Sequence, residues 1–184
     1  MGRQLKYHEE VLLKKHNFLF NKKNTNLREL HVLRRYQIEN REDYMKYNRL
    51  VGKITELTNK LKNLPQHDQF RISTTDKLLQ KLYAQGLIPT KKSLELCDNV
   101  TVSSMCRRRL PIVMVRMKMA ETVKAATTLV QHGHIRVGPN TITDPAFFVT
   151  RAMEDHLTWV DGSKIKRTIA KYNDQLDDFD LLGA

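Results

Sequence analysis

Residues 107–143 read "RRRLPIVMVRMKMAETVKAATTLVQHGHIRVGPNTIT", and a change of rhythm inside this stretch decides the fold. Cys106, Leu110, Val113, Met114 and Met117 recur at steps of three and four, the spacing of one helix face. Ser103 or Ser104 can cap such a helix running through Lys118. Pro111 has no N–H and crowds the turn before it, so the helix either begins beside Pro111 or kinks there. A second helix covers "ETVKAATTLVQH" and stops at Gly133, suited to the left-handed position that ends helices. From His134 the period drops to two: His134 and Arg136 alternate with Ile135 and Val137, the pattern of a half-buried strand. Gly138-Pro139-Asn140 makes the turn and "TIT" returns. "FFVT" and "HLTWV" follow as short extended pieces. Residues 105–160 therefore read as two helices followed by a small sheet.

Upstream, the chain is helical. "REDYMKYNRLVGKITELTNKLKNL", residues 41–64, places Tyr47, Leu50, Ile54, Leu57, Leu61 and Leu64 on one continuous stripe, and Pro65 ends it. A lone helix cannot bury its own stripe, so this one packs on others. "TDKLLQKLYAQG" predicts a further helix with Thr75 or Asp76 as N-cap and Gly86 just past its end, burying Leu78, Leu79, Leu82 and Tyr83. "LELC", residues 94–97, makes one or two turns. The first forty residues, basic and irregular, read as an arm with one or two short helices. At the other end, Asp174, Asp177, Asp178 and Asp180 form an acidic tail able to meet a basic partner.

With 184 residues, the chain can build one large domain or two small ones. Lys and Arg number 32 against 20 Asp and Glu, a formal charge of +12 that points to acidic partners, nucleic acid foremost. Two cysteines, Cys97 and Cys106, make neither a disulfide framework nor a metal cluster, and read as reduced, buried thiols. No apolar run approaches the ~18 residues of a membrane span, and Lys6 stands where a myristoylation signal wants Ser or Thr. A soluble intracellular protein is expected.

Little supports catalysis. The chain has no Gly-rich phosphate loop and no nucleophile elbow. The carboxylate pairs Glu42-Asp43, Glu154-Asp155 and Asp177-Asp178 are sequence neighbours, whose side chains diverge rather than converge on one substrate. His132 and His134 flank a helix-ending glycine with no third ligand nearby, which favours hydrogen-bonding or RNA-contacting roles over a metal. No enzyme activity, cofactor, metal, membrane or small-molecule substrate is expected.

A nucleic-acid reading has more to hold. Between Met105 and Asn140 stand seven cations (Arg107, Arg108, Arg109, Arg116, Lys118, Lys124 and Arg136) with Glu121 alone opposing them. Arginine forks bind phosphate in bidentate fashion, and each phosphate neutralised releases condensed counterions.

The same residues carry a family resemblance. Arg109-Leu110, Arg116-Met117-Lys118-Met119-Ala120, Leu129-Val130 and "QHGHIRV" resemble the RNA-binding domain named after small-subunit ribosomal protein S4. Glu121-Thr122 and Gly138-Pro139 depart from its usual Ser-Arg and Asn-Gly. The preceding helical stretch is similar to the one in that ribosomal protein. "RQLKYHEEVLLKK", "CRRRLP", "HGHIRVGP", "TRAMED", "TWVDGSKIKR" and "DDFD" bring nearly the whole chain closer still to the nucleolar Imp-three family of the U3 small nucleolar ribonucleoprotein.

The expected fold is mainly α with a small α+β S4-type domain, two helices and a small antiparallel sheet, towards the C-terminal side. Its expected parts are a basic arm and helical region over 1–104, the S4 domain over 105–160, and a basic-then-acidic extension over 161–184. The resemblance implies a non-catalytic protein of the nucleus and nucleolus that binds U3 snoRNA. It further implies association with an Mpp-ten-type protein and other components of the small-subunit processome, and help in pairing U3 with pre-rRNA for early 18S rRNA processing. The alternative is a structural uS4-type protein retained in the mature subunit. The expected RNA contacts are Arg107, Arg108, Arg109, Arg116, Lys118, Lys124, His132, His134 and Arg136. The apolar residues seat the helix and the cations face outward. On that reading Leu110→Ala destabilises the domain, while Arg109→Ala leaves stability nearly unchanged.

Overall fold

The computed structural model describes residues 3–15 and 27–175. The polar stretch "NKKNTN" and the acidic tail beyond Gln175 lie outside the described residues. Helices α1 (Tyr7–Lys15), α2 (Leu27–Arg35), α3 (Arg41–Lys62) and α4 (Gln69–Ala84) come first, and a short 3-10 turn at Leu94–Cys97 follows. Then come α5 (Val102–Cys106), α6 (Leu110–Arg116) and α7 (Val123–Gln131). Strands β1 (Ile135–Val137) and β2 (Asn140–Thr141), helix α8 (Arg151–Glu154), strand β3 (Leu157–Trp159) and helix α9 (Lys164–Tyr172) complete the chain. The mainly helical architecture and the small C-terminal-side sheet are as the sequence predicted.

The sheet is antiparallel with order β2-β1-β3, Arg136 facing both Thr141 and Thr158. Its central strand is β1, and Ile135 is fully buried beneath α6 and α7. This core joins Leu110, Val113 and Met114 of α6 to Ala126 and Val130 of α7, with Val149 and Leu157 closing it. Thr122 caps α7, its hydroxyl accepting from the Ala125 amide at 3.2 Å. Gly133 ends α7 at φ +71°, a conformation that a Cβ would strain.

Three sequence expectations shift. The first concerns Pro111, where the chain breaks rather than kinks: α5 ends at Cys106, and α6 begins at Leu110 with the proline in its first turn, where no N–H is needed. Thr101 rather than Ser103 or Ser104 caps α5, and Ser104 Oγ accepts from the Thr101 amide at 3.4 Å. Cys106 therefore joins a separate core with Val32, Tyr36, Ile38 and Tyr44, while Met117 is exposed.

Second, α4 starts about two turns before the expected cap. Asp68 holds its first turn by accepting from the Phe70 amide at 2.9 Å. The Thr75 hydroxyl is buried within the helix rather than capping it.

Third, the α3 stripe is rotated. Tyr44, Thr58 and Leu61 are buried, whereas Leu50 and Leu57 are exposed at the edge of an apolar groove of about 450 Å³ between α3 and α4. Helices α2 and α5 and the 3-10 turn all pack on α3 and pull its buried face towards Tyr44 and Thr58. Glu29 is buried at the α2–α3 contact, and Arg41 Nε donates to it at 2.6 Å.

Both cysteines are free and buried. Burial disfavours the thiolate and pushes the Cys106 thiol up to about 11, so it stays neutral and inert. At pH 8, iodoacetamide should leave Cys97 and Cys106 unlabelled in the native protein and modify both in denaturant. Mass spectrometry of the alkylated chain reads this directly, and rapid native labelling of Cys106 is the contrary result.

Candidate RNA interface

The segment Arg107–Arg109 links α5 to α6 as a turn: Arg107 keeps α-helical backbone angles, the Arg108 amide donates to Met105 and the Arg109 amide to Cys106, and the backbone becomes extended only at Arg109. Its far end pairs with residues 147–149. The Leu110 amide donates to the Phe147 carbonyl at 2.9 Å, and the Val149 amide donates to the Arg108 carbonyl at 2.8 Å. The backbone changes from α-helical at Arg107 to extended at Arg109, so the three side chains leave the turn in different directions and do not share one face.

Arg107 is exposed and carries no ion pair among the described residues. Arg108 turns inward and is 4% exposed. Its Nε and Nη2 both donate to the Val149 carbonyl, at 2.9 and 2.6 Å, and its Nη1 pairs with Glu154. The guanidinium lies against the end of α4, so close that a Cβ on Gly86 would stand 2.7 Å from its Cζ. Arg109 is also 4% exposed. It donates to Asp43 at 3.1 Å and to the Tyr47 hydroxyl at 3.2 Å, both on α3. The outward orientation expected of all three arginines is thus corrected: only Arg107 faces solvent. Arg108 and Arg109 join the S4-type core to the helices before it. Their long stems and multiple donors suit a role that one buried charge alone could not fill.

The residues completing these links gave no sequence signal as partners. Arg151 donates to the Ile88 carbonyl at 2.8 Å and stacks 4.1 Å over the Tyr83 ring. Glu154 serves Arg108 and Arg116 together. Burial raises the Glu154 carboxyl's pKa, but hydrogen bonds and charge from the two arginines outweigh it and hold the group below the usual carboxylate value. These pairings needed tertiary contacts 38 and 46 residues apart in sequence.

The other expected contacts fall into two places. Arg116, Lys118 and Lys124 sit at the short connection between α6 and α7. All three are exposed, Lys118 and Lys124 without an ion pair among the described residues and Arg116 tied to Glu154. Lys118 holds φ +60° just past the end of α6, where its amide donates to Val115 and the Met119 amide to Met114. That position normally suits glycine, and a side chain there costs about 1 kcal/mol. At the sheet, His132 is exposed and its ring centroid lies 6.2 Å from that of His134. His134 Nδ1 pairs with Ser163 Oγ at 3.0 Å. Arg136 donates to Thr158 at 3.0 Å and to Asp161 at 2.6 Å.

Chemically, the arrangement offers cations and hydrogen-bond donors. Among the described residues no group of three His, Cys, Asp or Glu could hold a metal ion, and no helix is long and apolar enough to cross a membrane.

Residues 4–107 match the ribosomal protein S4/S9 N-terminal domain family, and residues 108–155 match the S4 domain family. The human U3 small nucleolar ribonucleoprotein protein IMP3 is 56% identical over 182 residues, covering 98% of this chain and 99% of its own. The Saccharomyces cerevisiae protein of the same name is 54% identical over 98% of this chain and 100% of its own. The chain belongs to the IMP3 family. The family's kinship with ribosomal protein uS4 is distant. The Hyperthermus butylicus uS4 protein is 28% identical over 129 residues, 70% of this chain and 72% of its own. That gap separates the chain from the ribosomal alternative.

Proposed function

We propose that this chain is a non-catalytic RNA-binding component of the U3 snoRNP and small-subunit processome. It acts in the nucleolus, binds U3 snoRNA and assists its pairing with pre-rRNA for early 18S rRNA processing. An Mpp-ten-type protein and other processome components are its protein partners. The observation that carries this reading is nearly full-length similarity to proteins named as U3 small nucleolar ribonucleoprotein components. The exposed cations at the α6–α7 connection and at Arg107 support it physically. Two polyanions repel, and a shared cationic surface offsets that repulsion and mainly raises their pairing rate.

A fluorescence annealing time course with short U3 and pre-rRNA strands tests the proposal. The protein should accelerate duplex formation without any nucleotide, and charge reversal at Arg107, Lys118 and Lys124 should remove the gain while leaving the protein folded. RNA affinity should fall steeply with salt, by about 0.7–0.9 in log–log slope per phosphate contacted. Equal annealing rates with and without protein, at concentrations where both strands bind, would reduce the role to a scaffold.

Lys118 gives a sharper test, because its two roles pull in opposite directions. Lys118→Gly should relieve the left-handed strain and stabilise the protein by about 1 kcal/mol, raising the thermal midpoint by a few degrees. The same change should weaken RNA binding and shrink the salt slope by roughly one contact. Calorimetry and anisotropy on one sample read both effects, and unchanged affinity would remove Lys118 from the interface.

A further inference from the structure

Helix α9, "KIKRTIAKY", carries four cations and no acid. None of them is among the RNA contacts expected from the sequence. Lys166 pairs with Asp161 at 2.5 Å, and Asp161 also holds Arg136 of β1. Lys164, Arg167 and Lys171 are different: all are exposed and have no ion pair among the described residues. Their spacing of i, i+3 and i+7 sets them within about 60° of arc on the helix.

A second stripe runs beside the first. Ile165, Ile169 and Tyr172 follow at i, i+4 and i+7. Ile165 is half-buried, Ile169 is 41% exposed and Tyr172 is 88% exposed. None of α9 is fully buried. Its fixed point is the buried cap residue Ser163, whose hydroxyl accepts from the Ile165 amide at 3.3 Å and meets His134 Nδ1. A nine-residue helix with so little burial is marginal by itself. The apolar stripe is too short and already too covered at Ile165 to anchor a partner helix or a bilayer. What remains free is a row of three cations ending beside an open aromatic ring.

We propose that α9 is a second RNA-binding element, one that takes single-stranded RNA: Lys164, Arg167 and Lys171 track the phosphates and Tyr172 stacks on a base. Single strands are specified because a duplex offers no free base face to a protruding ring, whereas every unpaired base does. The inference rests on the RNA-binding reading above and extends it. The Ser163–His134 contact and the Arg136–Asp161–Lys166 chain tie α9 to the sheet, so the strand it holds lies on a different element from one held at the α6–α7 connection. Two separate cationic elements give an annealing protein a place for each strand.

The test uses the full chain and a labelled 12-nucleotide oligouridine, read by anisotropy, with a short RNA duplex as the second probe. K164A/R167A/K171A keeps a helix-forming sequence. It should weaken oligouridine binding at least tenfold and lower the salt slope by about 2, three contacts at about 0.7 each. Tyr172→Ala should weaken it about tenfold, and Tyr172→Phe should restore wild-type affinity, since the ring stacks without its hydroxyl. Hydrogen exchange at the amides of residues 167–173 should slow when the oligonucleotide binds, a readout that does not depend on any variant folding. Duplex affinity should respond to Lys118 and Lys124 instead. If the α9 variants bind oligouridine as the wild type does, and exchange in 167–173 is unchanged by RNA, the proposal is overturned and the RNA-binding reading stands. The proposal falls equally if these variants keep RNA affinity and lose an acidic protein partner instead. A wild-type protein that binds neither probe overturns both.

Discussion

Arg108→Ala lowers the thermal midpoint by about 10 °C, while Arg107→Ala, one residue away, leaves it within a degree or two. The physical difference is burial. Arg108 satisfies the Val149 carbonyl with two donors and pairs with Glu154 beneath the end of α4. Truncation strips that buried carbonyl of two bonds, opens a void beside Gly86 and leaves Glu154 with Arg116 alone. Losing one partner of a buried pair costs about 3–5 kcal/mol, and Arg116 retains enough of Glu154's pairing to place this case near 3. For a chain of this size that loss is about 10 °C. Arg108→Lys should recover only part of it, because an ammonium cannot reproduce the two-pronged contact. Differential scanning calorimetry of the three variants decides the matter, and equal midpoints for Arg107→Ala and Arg108→Ala would refute the buried assignment.

The same cluster sets a pH dependence. Glu154's folded pKa is depressed below its ordinary 4.5. Its contribution to stability is therefore fully present above that value and is lost as pH falls through the lower, folded value. In Arg108→Ala the carboxyl keeps one arginine instead of two, so the acid-side loss of stability should be smaller. Unfolding followed between pH 6 and pH 3 reads the difference.

Leu110→Ala is expected to cost about 2–5 kcal/mol, because Leu110 is 0% exposed at the centre of the α6–α7–sheet core and its removal leaves a cavity. Its neighbour Arg109 now belongs in the same experiment. Arg109→Ala should also destabilise, by roughly 2–3 kcal/mol, since it leaves Asp43 and the Tyr47 hydroxyl without their shared donor on α3. The two losses differ in kind. Asp43→Ala made together with Arg109→Ala should cost less than the sum of the single changes, the signature of a direct pair. No such coupling is expected between Asp43 and Leu110. Chemical denaturation of the three single and two double variants measures it, and full additivity of Arg109 with Asp43 would dismiss the contact.

How much of this was legible in the residues differs from element to element. The period of 3.6 through α6 and α7, its change to 2 at His134, and the glycines at 86 and 133 are local properties. Each is set by backbone geometry within a few residues, so the text of the chain was enough for the end of α4, for α7 and for the strand that follows it. Net charge is likewise additive along the chain, and it pointed to polyanionic partners without reference to any fold. Orientation is not local. "RRR" looks uniform as text, yet Pro111 starts a new helix, the three arginines become the turn between two helices, and that turn sends Arg108 and Arg109 inward while Arg107 faces water. Which cations stay free was then fixed by distant carboxylates: Asp43 lies 66 residues before Arg109 and Glu154 lies 46 after Arg108. The stripe on α3 was rotated for the same reason, since its neighbours chose which side to cover. Local periodicity names the elements, but only packing, by deciding which groups lose their water, separates the arginines that hold the fold together from those left to meet a phosphate.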